Sequence, residues 1–141
     1  MKVVTLKDIP NTPMEGAERI EGYTGPVSRS RQTIIQPGDS ANYNCSVVNF
    51  SQGCTTGWHT HPGILLLSLA ADSGPVDWYD AACGKRVYNA GDSWTEGTKL
   101  HDVVNNSSID AHFLVTYVVA KGVGKRTDQP APACAAALGL L

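Results

Sequence analysis

The chain has 141 residues, enough for one hydrophobic core and too few for two. Charged residues make up only 17 %, hydrophobic residues 42 %, and the formal net charge is -2, with basic residues in short clusters at Arg29/Arg31, Lys85/Arg86 and Lys125/Arg126. That balance argues against nucleic acid as a partner, since its binders carry a basic patch or stripe. No window reaches the about 20 apolar residues of a membrane span.

Fourteen glycines and eight prolines at low charge predict many turns and an all-β chain. Residues 1–26 form an N-terminal arm in this reading. Within it, 11–19 predicts a short helix, with Asn11 or Thr12 as cap and Pro13 at the first helical position, ended by Gly22 and Gly25-Pro26. The first eight residues lack the apolar run of a signal peptide, which gives a cytoplasmic expectation. Strands follow at 27–35, 43–50, 55–69, 76–79, 86–89, 93–96, 102–105 and 111–120, with turn signals between them. Many short strands at this spacing point to a sandwich or closed barrel, here spanning about 27–120 of a single domain. The tail, 121–141, begins extended through Gln129-Pro130-Ala131-Pro132 and ends in an apolar run that can cover a barrel end.

The four cysteines, Cys45, Cys54, Cys83 and Cys134, contain no C-x-x-C pair, which argues against a zinc ribbon. Sequence alone does not choose among their three disulfide connectivities.

Four histidines are present: His59, His61, His101 and His112. Residues two apart on a strand share a face, so His59 and His61 project together as a chelate for a divalent transition metal. By the same parity Leu65 and Leu67 continue that face as an apolar pocket floor. Trp58 faces the other way. Trp94 and Tyr117 are candidate pocket walls, and His112 reads as surface.

Five residues separate Gly53 from His59, and Pro62-Gly63 follows His61. About 30 residues on come Gly91-Asp92, His101, and Asn105 four residues after it. This constellation resembles the two motifs of the cupin superfamily and covers roughly 35–120. The resemblance implies a small antiparallel jelly-roll barrel. It also implies that His59, His61 and His101 hold one divalent metal (Fe, Mn, Ni, Zn or Cu), with Asn105 beside the pocket. Two departures are visible. The glutamate that cupins carry four residues after the second histidine is Leu65 here, and Glu96-Gly97 stands where a proline-glycine turn is usual.

Two readings of the missing acid remain open. Three histidines alone hold the metal, as in the three-histidine dioxygenases of the superfamily, or Glu96 compensates as ligand or catalytic base. Dioxygenase chemistry on a small molecule is the first expectation. A lyase or isomerase with Glu96 as proton carrier is the second, and a non-enzymatic binding or vestigial-site protein the third. The resemblance further implies a homodimer, for which strand 27–35, with Ser28, Ser30 and Gln32 alternating, is a candidate edge. The segments His59-Thr60-His61-Pro62-Gly63, Asp80 to Cys83 and Gln129-x-Ala131-Pro132-x-Cys134 resemble a group of small bacterial single-domain cupins. Many of those are extracytoplasmic, and this likeness implies a Cys83–Cys134 disulfide.

Overall fold

The structure is a computed structural model that describes the backbone at 5–8, 12–14, 20–24, 31–35 and 41–140, and side chains from 42 to 140. Its strands are β1 (Thr5–Asp8), β2 (Thr12–Met14), β3 (Ile20–Thr24), β4 (Arg31–Ile35), β5 (Ala41–Phe50), β6 (His59–Thr60) and β7 (Ile64–Leu69). Then come β8 (Val76–Asp80), β9 (Lys85–Tyr88), β10 (Ser93–Glu96), β11 (His101–Val104), β12 (Ala111–Ala120) and β13 (Thr127–Asp128). Among the described residues the helical structure is one short 3-10 turn, Ala136–Leu138.

Two antiparallel sheets form the barrel. One runs β1-β5-β12-β7-β10, with β2 also on β5; the other runs β13-β6-β11-β8-β9; β3 and β4 pair separately. The all-β jelly-roll expectation is borne out.

Alternation explains the first sheet. On β12, Ala111, Phe113, Val115 and Tyr117 are buried and Leu114 is exposed. On β7, Leu65, Leu67 and Leu69 are buried. These meet Val48 and Phe50 of β5, and the Phe50 and Phe113 rings lie 5.5 Å apart. Phe50 is fully buried, so this pair sits at the centre of the core. Burying such a ring stabilises by roughly 1.5–3 kcal/mol over exposure.

Two expectations need correction. Residues 12–14 are not helical: they form β2, with Thr12, Pro13 and Met14 opposite Tyr43, Asn42 and Ala41. Proline is tolerated there because an edge strand can spare one donor. Residues 15–19 lie outside the described residues. The run 55–69 is not one strand either. Pro62 and Gly63 end β6 in one sheet and let the chain cross to β7 in the other. The predicted strand 27–35 is described only over β4, and 27–30 lie outside the described residues.

The crossing at Gly63 is tight. A Cβ there would meet the Val118 carbonyl oxygen at 2.2 Å, which no rotamer change relieves. Gly63→Ala should therefore force the crossing off β12 and cost on the order of 1–3 kcal/mol or more, read as a lower urea midpoint at unchanged slope.

Candidate metal centre

The site forms where the chain passes twice between the sheets. One passage, 61–63, joins β6 to β7. The other, 97–100, joins β10 to β11. They lie side by side, tied by the His61 amide donating to the Gly97 carbonyl at 3.0 Å. His59 and His61 flank the end of β6, His101 opens β11 as the register partner of His59, and Glu96 closes β10. All four are buried.

Each imidazole is oriented by a backbone carbonyl. His59 Nδ1 lies 2.6 Å from the Gly57 oxygen, His61 Nδ1 2.8 Å from the Lys125 oxygen and His101 Nδ1 2.8 Å from the Lys99 oxygen. A carbonyl only accepts, so each Nδ1 carries the proton and donates. In the neutral rings, Nε2 is then a lone pair. Gly57, at φ +71°, adopts the left-handed conformation that aims its carbonyl back at His59.

The three Nε2 atoms converge. Those of His59 and His61 are 3.0 Å apart, lone pair toward lone pair. His101 Nε2 is buried without a hydrogen bond, although Glu96 Oε2 lies 3.1 Å away. The same oxygen is 3.4 Å from His61 Nε2. Glu96 Oε1 turns away and accepts a bond from Trp94 Nε1 at 3.0 Å.

This set fits a cation. The four donor atoms lie within 4.8 Å of one another. Imidazole nitrogens stand about 2.0–2.1 Å from a divalent metal, which places neighbouring donors about 3 Å apart, the scale of the separations seen here. Facing lone pairs and an orphaned buried nitrogen are costly without a shared positive charge. The residues present therefore fit one divalent metal ion.

Electrostatics agree. Burial, then the charge of His101, pushes His59 down to about 3, against the pull of the Gly57 carbonyl, so this ring is neutral at ordinary pH. Burial works against ionisation of Glu96, but the contacts from His101, His61 and Trp94 outweigh it and hold the carboxyl well below its usual range. Burial likewise opposes a charge on His101, yet Glu96 pulls that ring upward. A carboxylate at ordinary pH thus faces the three nitrogens.

A cavity of about 280 Å³ opens onto the site. His59, His61 and Glu96 line it with Leu65, Leu67, Phe113, Val115 and Tyr117, and Arg126 and Asp128 form part of its solvent side. Leu65 and Leu67 thus lie where parity put them, and Tyr117 is a wall. Glu96 points inward.

Two other pocket assignments are corrected. Trp94 does not line the cavity: it packs in the core against Tyr88, ring centroids 4.3 Å apart, and reaches the site only through Glu96. Asn105 is fully buried elsewhere. Its amide donates to the Phe50 and Ile109 carbonyls, and its oxygen accepts from Ser107, which locks the turn after β11. His112 stays outside the cavity, 3.0 Å from Asn49 Oδ1. Sequence reasoning missed the Lys125 and Lys99 carbonyls, which carry no side-chain signal. It also missed Trp78, whose ring stacks on His101 at 5.8 Å.

The fold has solved counterparts. A cupin-like protein from Thermotoga maritima matches with TM-score 0.51 and 18 % identity over 63 % of this chain and 65 % of its own. The chain has the cupin fold. A Klebsiella pneumoniae protein with a double-stranded β-helix domain shares this cupin architecture at TM-score 0.52 and 16 % identity over 81 % of each chain. An oxalate oxidase in complex with the substrate analogue glycolate matches at TM-score 0.50 and 18 % identity over 70 % of this chain and 57 % of that one. The chain therefore spans less than two thirds of the first and third of these proteins. No protein-family model matches the sequence, and no curated protein matches it significantly.

Replacing His59 and His61 by alanine should abolish uptake of Co(II), Zn(II) or Ni(II) while far-ultraviolet dichroism stays that of the barrel. Trp94→Phe leaves Glu96 Oε1 unbonded and should weaken uptake about 10-fold, the low end of what lost support of a ligand costs. Equilibrium dialysis with metal analysis reads both.

Proposed function

We propose that this protein is a mononuclear metalloenzyme acting on a small molecule, with His59, His61, His101 and Glu96 as ligands and dioxygen chemistry as its reaction class. The observation that carries the reading is the convergence of three Nε2 atoms and one carboxylate beside an apolar cavity. A divalent metal such as Fe(II) held there would supply open coordination positions, Lewis acidity and electrons for dioxygen chemistry.

The chain's own residues do the rest. Three neutral imidazoles and one carboxylate leave a net charge of +1 on a divalent centre, which favours an anionic oxygen donor. Leu65, Leu67, Phe113 and Val115 keep water sparse and accept an apolar body. The volume holds about nine groups the size of water, so the substrate is small. Lys125 on the cavity lining favours entry of anions, with its Nζ over the Tyr117 ring at 5.2 Å, while Arg126 beside it is ion-paired with Asp128. One protein of the same fold is an oxalate oxidase, which supports oxygen chemistry on a small acid by analogy of fold alone.

Glu96 as a proton carrier, the lyase or isomerase reading, needs a carboxylate oxygen facing the substrate. Both oxygens are engaged, one by the Trp94 indole and one by the histidines. That favours Glu96 as ligand. A homodimer belongs to the same proposal, paired along β4, whose one neighbour among the described residues is β3. So does an oxidising compartment, where a bonded Cys83–Cys134 pair persists. No helix among the described residues is long and apolar enough to cross a membrane.

Protein loaded anaerobically with Fe(II) should consume oxygen with at least one member of a panel of diketones, thiols, phenols and small carboxylic acids. Glu96→Gln should weaken metal binding and oxygen consumption together. Full metal retention with turnover lost would transfer Glu96 to the role of base. No consumption with any member would remove the dioxygenase reading.

A further inference from the structure

The wall of the metal site facing β13 is built by the C-terminal arm. After β12 the chain returns along β6, where Thr127 pairs with Thr60 and Asp128 with His59. The Lys125 carbonyl holds His61 Nδ1 at 2.8 Å. Arg126 donates to the Thr56 carbonyl at 2.8 Å, and the Gln129 amide to the Trp58 carbonyl at 2.9 Å. β6 therefore lies between β11 on one side and this arm on the other.

The arm has few anchors of its own. From 121 to 134 its residues are exposed or half-buried. Beyond them, among the described residues, only Ala135 and Leu140 are buried, in a small cluster with Trp58, Tyr79 and Val104, and Trp58 Nε1 donates to the Leu140 carbonyl at 3.0 Å. A two-residue strand, a few hydrogen bonds to the β6 region and two small buried apolar residues make a segment that opens locally at low cost. A covalent anchor supplies what these lack: Cys134 is bonded to Cys83 in the turn between β8 and β9. That turn is itself held in place. Cys83 sits at φ +60°, an uncommon conformation for a residue with a side chain, with the Asp80 carboxylate accepting from the Ala82 and Gly84 amides.

We propose that the Cys83–Cys134 bond is a positioning device for the metal centre, and that a dithiol reductant opens the site by releasing the arm that orients His61. The inference rests on the metal-site reading above. In the step, a dithiol supplies two electrons and two protons, becomes a disulfide itself, and leaves Cys83 and Cys134 as thiols. Both cysteines are half-buried. Once the arm lifts, His61 loses the acceptor that fixes its tautomer, and β6 loses one of its two neighbours. Lost support of this kind weakens metal affinity about 10- to 100-fold.

The test compares the oxidised protein with Cys83→Ser/Cys134→Ser by Co(II) titration, because dithiols themselves bind metals. The expected result is affinity 10- to 100-fold weaker in the double variant, with a changed Co(II) visible spectrum. Hydrogen exchange should show protection kept in β5 and β12 and lost in β6 and β13. Equal affinity and spectrum in the two proteins would overturn the coupling. Uniform loss of protection would overturn it as well, because the bond would then serve the whole fold. Failure of the oxidised protein to bind Co(II) strikes instead at the metal reading and takes this inference with it.

Discussion

Three backbone carbonyls, each accepting from an imidazole Nδ1, are the constraint on which the site depends. A histidine side chain alone has two tautomers and a rotatable ring. Pinned at Nδ1, it has one tautomer, one orientation and one lone pair. Doing this three times toward a single point creates a concentration of electron density that the fold cannot neutralise by itself. Glu96 adds to that density. Assembling the cluster costs stability, which a cation bound there would return.

The carbonyls come from parts of the chain far apart in sequence. Gly57 precedes β6, Lys99 lies in the crossing between sheets, and Lys125 belongs to the C-terminal arm. The barrel is what brings them together. Its two neighbouring crossings place His61 and Glu96 close together, and the core, with Phe50 and Phe113 of one sheet and Val76 and Val103 of the other, fills the space between the sheets. Function and packing therefore share the same residues: Leu65 and Leu67 are both core and cavity wall.

Much of this was legible in the sequence. Alternation located most strands from Tyr43 to Ala120, apart from the run 55–69 that Pro62-Gly63 divides between two sheets. Strand parity paired His59 with His61, and it was the likeness to the cupin motifs that added His101. The acid was left open between inward and exposed because Glu96 ends its strand, where parity alone does not exclude a turn. Trp94 and Asn105 were misplaced because spacing locates a residue along a strand but not the partner its polar atoms find. Asn105 satisfied its amide away from the cavity, and Trp94, packed in the core, donated its indole N–H to Glu96. The carbonyl anchors could not be read at all, since every residue has a carbonyl and only the tertiary fold selects three of them. The helix expected at 11–19 rested on capping residues, and at 12–14 pairing with β5 overrode that local preference.

In the register of β7 and β10, Glu96 stands directly opposite Leu65. Cross-strand partners on one face have Cβ atoms about 4.5–5.5 Å apart, so the two positions address nearly the same point in space. Position 65 is where the cupin pattern carries its acid. A carboxylate can thus migrate between neighbouring strands through two single substitutions, in either order, without moving the backbone. In an evolutionary history of such barrels, the ligand set is then a property of the register pair rather than of either residue, and a search for the acid at one fixed position will overlook chains that carry it on the other.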